Sequence, residues 1–378
     1  MVRARPAVEA LPAYRPGRNP ADLAREIGVE RAIKLASNEV PFPPLPAVVD
    51  AVARAMADTG RYPDNGALEL TEALAAHYRV DPGQVVPGCG GVSLCQQLAQ
   101  AFTDPATSIA FAWRSFEMYP LLAQVAGARS IAVPLVPGRP GGPADTHDLD
   151  GLAAAIDDGT RLVWVCNPNN PTGTAVRRPE LERFLDAVPQ SALVVLDEAY
   201  REFVTDSEVP DGLEIMRGRG NVAVLRTFSK AYSLAGLRVG YVIAEDPAVA
   251  AALRKVHVPF SVSVPGQAAA LAALASRDEV ARRVAAVVAE RGRLTTELRG
   301  RGFDVADSQA NFVWLPVGDR AAGLAAALEA RAVITRPFPG DGVRITVGSP
   351  EEDDVLLAAL DELGDEPDPQ VAGGAPRG

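Results

Sequence analysis

From about residue 68 the chain alternates short apolar runs with amphipathic stretches, and this alternation limits its fold more than any other feature. The apolar runs are TSIAFA (107–112), RSIAVPL (129–135), RLVWVC (161–166), ALVVLD (192–197), NVAVLR (221–226) and LRVGYVIA (237–244), each bounded by Gly, Pro or charged residues. Most are separated by helical patterns such as LELTEALAAHYR (68–79), VSLCQQLAQAF (92–102) and PELERFLDAV (179–188), whose apolar residues recur three and four apart. Strands joined through helices pair side by side by crossovers, so an α/β fold with a mostly parallel sheet is expected, carried by six buried strands.

The pattern changes after Pro265. A long helix from Asp278 to about Gly300, strands at NFVWLP (311–316) and GVRITVG (342–348), and a last helix at EEDDVLLAALDEL (351–363) read as a smaller α+β unit. We expect a large domain over 45–260, a small one from 1–44 plus 261–364 that includes an N-terminal arm, and a tail at 365–378. That tail, rich in Gly, Pro and charge, has little apolar surface to bury and is expected to be disordered. No internal repeat is present.

Composition narrows the function. The 37 basic and 48 acidic side chains give a net charge of −11, the wrong sign for a protein that must displace counterions from nucleic acid. No run approaches the ~20 apolar residues of a membrane span, and the N-terminal sequence lacks the apolar core of a secretory signal, so a cytoplasmic protein is expected. Cys89, Cys95 and Cys166 form no even disulfide framework and no CxxC pair, and His77, His147 and His257 are scattered, so no metal site is expected.

The chain holds 34 arginines but only three lysines, Lys34, Lys230 and Lys255. The two cations interchange on a solvated face but not where an amine must lose its proton and attack a carbonyl, since a guanidinium stays protonated. Lys230 is therefore either a covalent catalyst or simply one lysine of three. Four stretches place polar residues at the ends of expected strands, where open α/β sheets bind ligands. VPGCGGVS (86–93) carries Gly90 and Gly91 into a helix, as an anion site or as an ordinary turn. CNPNNPTG (166–173) presents turn amides. LDEAY (196–200) ends an apolar strand on Asp197, which needs a cation nearby unless it only caps the next helix. LRTFSKAYSLAGLRVG (225–240) surrounds Lys230 with Thr227, Ser229 and Arg238, the hydroxyls and guanidinium that a phosphate monoester asks for. An amine, a phosphate cradle, a buried carboxylate and turn amides point together to pyridoxal phosphate.

With those motifs in that order, the sequence resembles the fold-type I pyridoxal-phosphate aminotransferases, in the group that holds histidinol-phosphate and aromatic (phenylalanine) aminotransferases. The resemblance covers nearly the whole chain and implies a mostly parallel seven-stranded sheet domain with a smaller α+β domain. It matches the Schiff-base lysine to Lys230 in TFSKAY, the ring-nitrogen aspartate to Asp197 and the phenol to Tyr200 in DEAY, and the turn asparagine to Asn170 in NNPTG. It implies that Gly90, Gly91, Thr227, Ser229 and Arg238 hold the phosphate, and it matches Phe116 to an aromatic ring stacked on the cofactor, a residue that from spacing alone is equally an ordinary core phenylalanine. Tyr62 in RYPDN matches a tyrosine that reaches the neighbouring subunit's cofactor, which implies a homodimer with shared active sites.

For the substrate, the resemblance matches Arg344 in GVRITVG to the arginine that binds the carboxylate, and Asn38 and Tyr14 to positions where the N-terminal arm closes. Arg336 serves the distal end of the substrate or pairs on the surface. VPFSVS and SQANFVWLP look like the phenylalanine-type branch, which implies transamination between an aromatic L-amino acid and a 2-oxo acid such as 2-oxoglutarate. Histidinol phosphate is the alternative amino donor, and decarboxylation by the same fold and lysine a more distant one. A transcription regulator of this fold would carry a winged helix ahead of motifs that here begin at ASNEV (36–40).

Overall fold

The computed structural model describes residues 2–11, 17–136 and 145–365. Its strands, in chain order, are β1 (Ile33–Lys34), β2 (Val85–Gly88), β3 (Ser108–Trp113), β4 (Arg129–Pro134), β5 (Thr160–Cys166), β6 (Leu193–Asp197), β7 (Val222–Thr227), β8 (Gly240–Ala244), β9 (Phe312–Leu315), β10 (Val333–Ile334), β11 (Arg336–Phe338) and β12 (Gly342–Thr346). The chain divides into two compact units: of the described residues, 2–11, 42–288 and 306–311 form the first, and 17–41, 289–305 and 312–365 the second. These limits differ from the expected 45–260 against 1–44 plus 261–364. Pro265 marks no boundary, because it sits in the first turn of helix Val264–Ala275, where a missing N–H costs nothing, and that helix packs on Pro46–Ala55 of the same unit. The expected disordered segment beyond residue 365 lies outside the described residues.

In the first unit, seven strands form one sheet in the order β2-β8-β7-β6-β5-β3-β4, with β3 to β7 parallel and β8 antiparallel to both its neighbours. The seventh strand is β2, four residues containing Pro87, too short to stand out as an apolar run. It pairs only with β8, and an edge is where a strand accepts a residue that donates no hydrogen bond. At the opposite edge β4 has no fully buried residue, contrary to the six buried strands expected, because it has a partner on one side only. β8 begins at Gly240 rather than near 237, since Arg238 adopts φ 57° and ends the short turn Ala235–Leu237.

Alternate residues of the central strands, among them Phe111, Trp164, Val195 and Leu225, form one core with Leu94 and Leu98 of helix Gly90–Phe102 and Tyr119 of helix Met118–Ala126. The residues between them, such as Val163, Val194 and Val224, are buried on the other face, as in a sheet covered on both sides. The second unit holds the antiparallel sheet β11-β12-β9 and the parallel pair β1-β10. Leu23 and Ala24 of helix Pro20–Ile27 pack there with Ala36 and Ile334. Among the described residues no helix is long and apolar enough to cross a membrane.

Candidate active site

Every polar motif of the first unit lies just beyond the carboxyl end of a strand, which is the consequence of running β2, β3, β5, β6 and β7 in one direction. β2 stops at Gly88 and the helix Gly90–Phe102 starts two residues later, so the unsatisfied N–H groups of its first turn face outward beyond the sheet. Gly90 adopts φ 76°, and a Cβ there would stand 2.6 Å from Arg238 Nη2. The guanidinium thus occupies the space that a side chain would take, beside the helix start. At Gly240 an added Cβ would lie 3.0 Å from Arg226 O and 3.2 Å from Gly91 N, so a side chain there would push β8 and this loop apart by a few tenths of an ångström. Thr227 and Ser229 complete the edge of the cradle: the Thr227 hydroxyl lies 2.9 Å from Ser229 Oγ and accepts from Ser229 N at 3.1 Å. Backbone N–H groups, two hydroxyls and a guanidinium are the donor set of a phosphate monoester.

Asp197 is the last residue of β6 and is buried. Its Oδ2 accepts from Tyr119 Oη at 2.7 Å and its Oδ1 from Ala199 N at 3.2 Å. Of the two partners the sequence allows for it, a ligand's cation or an arginine, no arginine ion pair is found on it among the described residues, which leaves the ligand's cation. The Oδ1 bond to Ala199 N closes a turn two residues on and is not the helix cap that the sequence also allowed, since the next helical turn, Arg201–Phe203, has Tyr200 at its N-cap and no side-chain cap bond. Burial pushes its pKa up to about 6, against the downward pull of the Tyr119 and Ala199 hydrogen bonds. A carboxylate kept out of water with only neutral donors is a receptor for a cation, and a protonated ring nitrogen supplies one.

The turn after β5 is tied down by its own amides. Asn169 accepts from Ser115 Oγ at 2.7 Å and donates to Arg114 O at 3.2 Å and Thr172 Oγ1 at 2.9 Å, while Asn167 accepts from Val176 N at 2.8 Å. Asn170, next in the chain, is buried on this braced turn. Tyr200 is buried three residues after Asp197, and Lys230 Nζ lies 6.0 Å from the centroid of its ring. Phe116, half-buried beyond β3, meets Tyr119 edge-on with centroids 5.6 Å apart. An amine, a cation receptor and an anion cradle on adjacent strand ends fit pyridoxal phosphate.

The remaining expected residues divide between the two units. Tyr62 is 81% exposed and stacks on Phe260 at 4.6 Å. Asn38, Arg336 and Arg344 belong to the second unit, where Asn38 N donates to Thr346 Oγ1 and Arg344 Nη2 donates to Ala36 O at 2.6 Å. Arg336 is directly opposite Arg344 across β11 and β12, and the Arg344 guanidinium sits 5.5 Å from the Phe312 ring and 5.8 Å from the Phe338 ring. Tyr14 lies outside the described residues. Sequence reasoning missed Tyr119, which holds Asp197 from 78 positions away, and the buried pair of Arg226 and Glu198, joined at 2.6 Å. No local signal marks either, although both flank motifs already in view.

Residues 30–360 match the model of the family described as aminotransferase class I and II. The chain is 52% identical over 359 residues to the aromatic amino acid aminotransferase of Streptomyces coelicolor, covering 95% of this chain and 97% of that one. It is 52% identical over 354 residues to the protein of the same name from Thermobifida fusca, covering 93% and 95%. Among solved structures, histidinol-phosphate aminotransferase from Sinorhizobium meliloti in complex with pyridoxal-5'-phosphate superposes with a TM-score of 0.85 at 30% identity, covering 96% of this chain and 98% of that one. With the strand-end cradle, amine and cation receptor in view, this chain belongs to the class I and II aminotransferases, the pyridoxal-phosphate enzymes that transfer amino groups.

Proposed function

We propose that this enzyme moves an amino group between an aromatic L-amino acid, phenylalanine or tyrosine, and a 2-oxo acid such as 2-oxoglutarate. The observation that carries the reading is an identity of about half, sustained over 95% of the chain, with proteins named aromatic amino acid aminotransferase. Pyridoxal phosphate supplies, when bound, an aldehyde that condenses with amines and a ring that draws off the electrons left when the substrate Cα loses its proton. Lys230 Nζ would hold the cofactor and, once the substrate's amine has displaced it, would be free to take up the proton from the substrate Cα.

At its ordinary pKa of ~10.4 a lysine is deprotonated in only about one molecule in 2,500 at pH 7, so condensation or burial must keep Nζ neutral. Asp197 keeps the ring nitrogen protonated; a cation facing its carboxylate pulls its pKa down from about 6, so it is ionised at pH 7. Asn170 and Tyr200 are assigned to the ring oxygen, Phe116 to the ring face, and Gly90, Gly91, Thr227, Ser229 and Arg238 to the phosphate. Arg344 is assigned to the substrate α-carboxylate through a bidentate pair, and Asn38 and Tyr14 to the closing of the N-terminal arm over the substrate. Arg336 is assigned to the distal carboxylate of a dicarboxylic 2-oxo acid, a role supported by its place directly opposite Arg344 in the strand register, with both guanidinium groups within 6.0 Å of the Phe338 ring.

A homodimer with shared sites is supported by the apolar surface around Tyr62. Phe260 stacks on it, Phe260 N donates to Asn65 Oδ1, and Val258 and Leu68 are also exposed. Light scattering on the purified protein at micromolar concentration checks it, with a monomer as the refuting mass. Three free thiols agree with a reducing, cytoplasmic setting. The substrate reading is tested by kcat/KM for phenylalanine, tyrosine and histidinol phosphate with 2-oxoglutarate as acceptor. The aromatic amino acids are expected to lead by at least tenfold. Histidinol phosphate, the substrate class in the name of a structural neighbour, overturns the reading if it leads.

A further inference from the structure

Tyr119 matches no motif, yet several contacts converge on it. Its hydroxyl donates to Asp197 Oδ2 at 2.7 Å, and its ring stacks on Trp164 with centroids 4.6 Å apart and planes 20° from parallel. Both aromatic side chains have no exposed surface, and Phe116 closes the edge of the tyrosine at 5.6 Å, so the ring has no space to swing away. The other oxygen of Asp197 is held by Ala199 N. With one donor on each oxygen, the plane of the carboxylate is set and each oxygen keeps one acceptor position.

We propose that Tyr119 is a positioning residue that orients the Asp197 carboxylate and holds it in its ionised form for the ring nitrogen of pyridoxal phosphate. The inference rests on the proposed place of Asp197 at that nitrogen. A hydroxyl suits the task because it donates without bringing a charge, whereas an arginine at the same point would compete with the ring nitrogen for the carboxylate. Among the described residues, the titratable groups facing Asp197 include Cys95 and Cys166, whose thiols burial holds protonated, and Glu198, which is tied to Arg226. Burial likewise holds Tyr119 protonated, so it remains a donor across the working pH range. Of these groups only Tyr119 gives a side-chain hydrogen bond to the carboxylate, and that bond opposes the rise in pKa that burial imposes.

The test is pyridoxal phosphate affinity of the full-length chain, stripped of cofactor and titrated by equilibrium dialysis from pH 5 to 9. Two groups titrate near pH 6 in this experiment, the cofactor phosphate and Asp197, and Asp197→Asn removes the second. Tyr119→Phe keeps the ring packing and deletes the donor. It is expected to move the Asp197-dependent part of the profile up by about one pH unit, so that binding weakens about tenfold at pH 5.5 and changes little at pH 8.5. In the Asp197→Asn background the same substitution is expected to leave the profile where it was. Site-specific 3,5-difluorotyrosine at position 119, a stronger donor of similar shape, is expected to move the profile down. A Tyr119→Phe profile that coincides with the parent overturns the inference, even if the variant melts at a lower temperature, because a merely structural tyrosine behaves in that way. If Asp197→Asn also leaves the profile unmoved, the assignment of Asp197 to the ring nitrogen fails with it.

Discussion

The pair of Arg226 and Glu198 lies directly behind the site, one residue before Thr227 and one after Asp197, and its loss strands a buried charge. Arg226 Nε and Nη2 donate to Glu198 Oε2 at 3.0 and 2.6 Å, and Nη2 also donates to Asp211 at 2.7 Å. The two side chains are 5% and 2% exposed. Arg226→Met leaves a buried carboxylate whose closest remaining donor is Gly212 N, at 2.8 Å. Stranding one partner of a buried pair costs about 3–5 kcal/mol if the charge stays. Glu198 can instead take a proton, which at pH 7, starting from an ordinary value of 4.5, costs 1.36 × (7 − 4.5), or about 3.4 kcal/mol. The smaller figure sets the limit, so we expect a loss of about 3 kcal/mol at pH 7.

At pH 5 the same proton costs 1.36 × (5 − 4.5), or about 0.7 kcal/mol. The sign follows from linkage: in the variant the folded pKa of Glu198 lies above its unfolded value, so stability is greatest below about 4.5 and is lost as pH rises. Urea midpoints of the cofactor-free protein at pH 5, 6 and 7, followed by near-ultraviolet circular dichroism, measure it. Adding Glu198→Gln, which preserves the acceptor for Gly212 N, is expected to abolish the pH slope that Arg226→Met adds to that of the parent. A loss of the same size at pH 5 and pH 7, or below about 1 kcal/mol at both, refutes the reasoning.

Lys230→Ala is expected to abolish turnover and borohydride trapping of the cofactor on the chain, and surviving turnover would remove the lysine from the chemistry. Gly90→Ala forces a Cβ to within 2.6 Å of Arg238 Nη2 at φ 76°, so pyridoxal phosphate affinity is expected to fall at least tenfold, read by dialysis. Pyridoxal without its phosphate is the control, and should bind the variant and the parent alike. In the second unit Asp353 is fully buried, and burial, with the adjoining Glu290 carboxyl adding to it, raises its pKa to about 8, against the pull of Gly348 N. Its contribution to stability is therefore complete below its ordinary value of 3.8 and is lost as pH rises through about 8. Asp353→Asn is expected to flatten the fall of the urea midpoint across that window, and an unchanged slope would discount the residue.

Six of the seven strands of the first unit's sheet, the helices between them and the polar motif at each strand end were legible from residues 68–244, because each depends on near neighbours in the chain. An apolar run of five to seven residues can bury itself only as a strand in a covered sheet, and Asn, Asp, Gly and Lys after it have few reasons to be there other than a turn or a ligand. Tertiary structure decided the rest. It made β2 a strand with only four residues, turned β8 antiparallel, and carried Pro265 inside the first unit rather than at its border. It also chose the neutral Tyr119 hydroxyl, and no arginine, as partner for Asp197, and gave Arg226 to Glu198 instead. Side chains 28 and 78 positions apart meet only because sheet order and helix packing bring them together. Spacing along a chain does not encode which of several buried groups will face a given carboxylate; the closest-packed interior does.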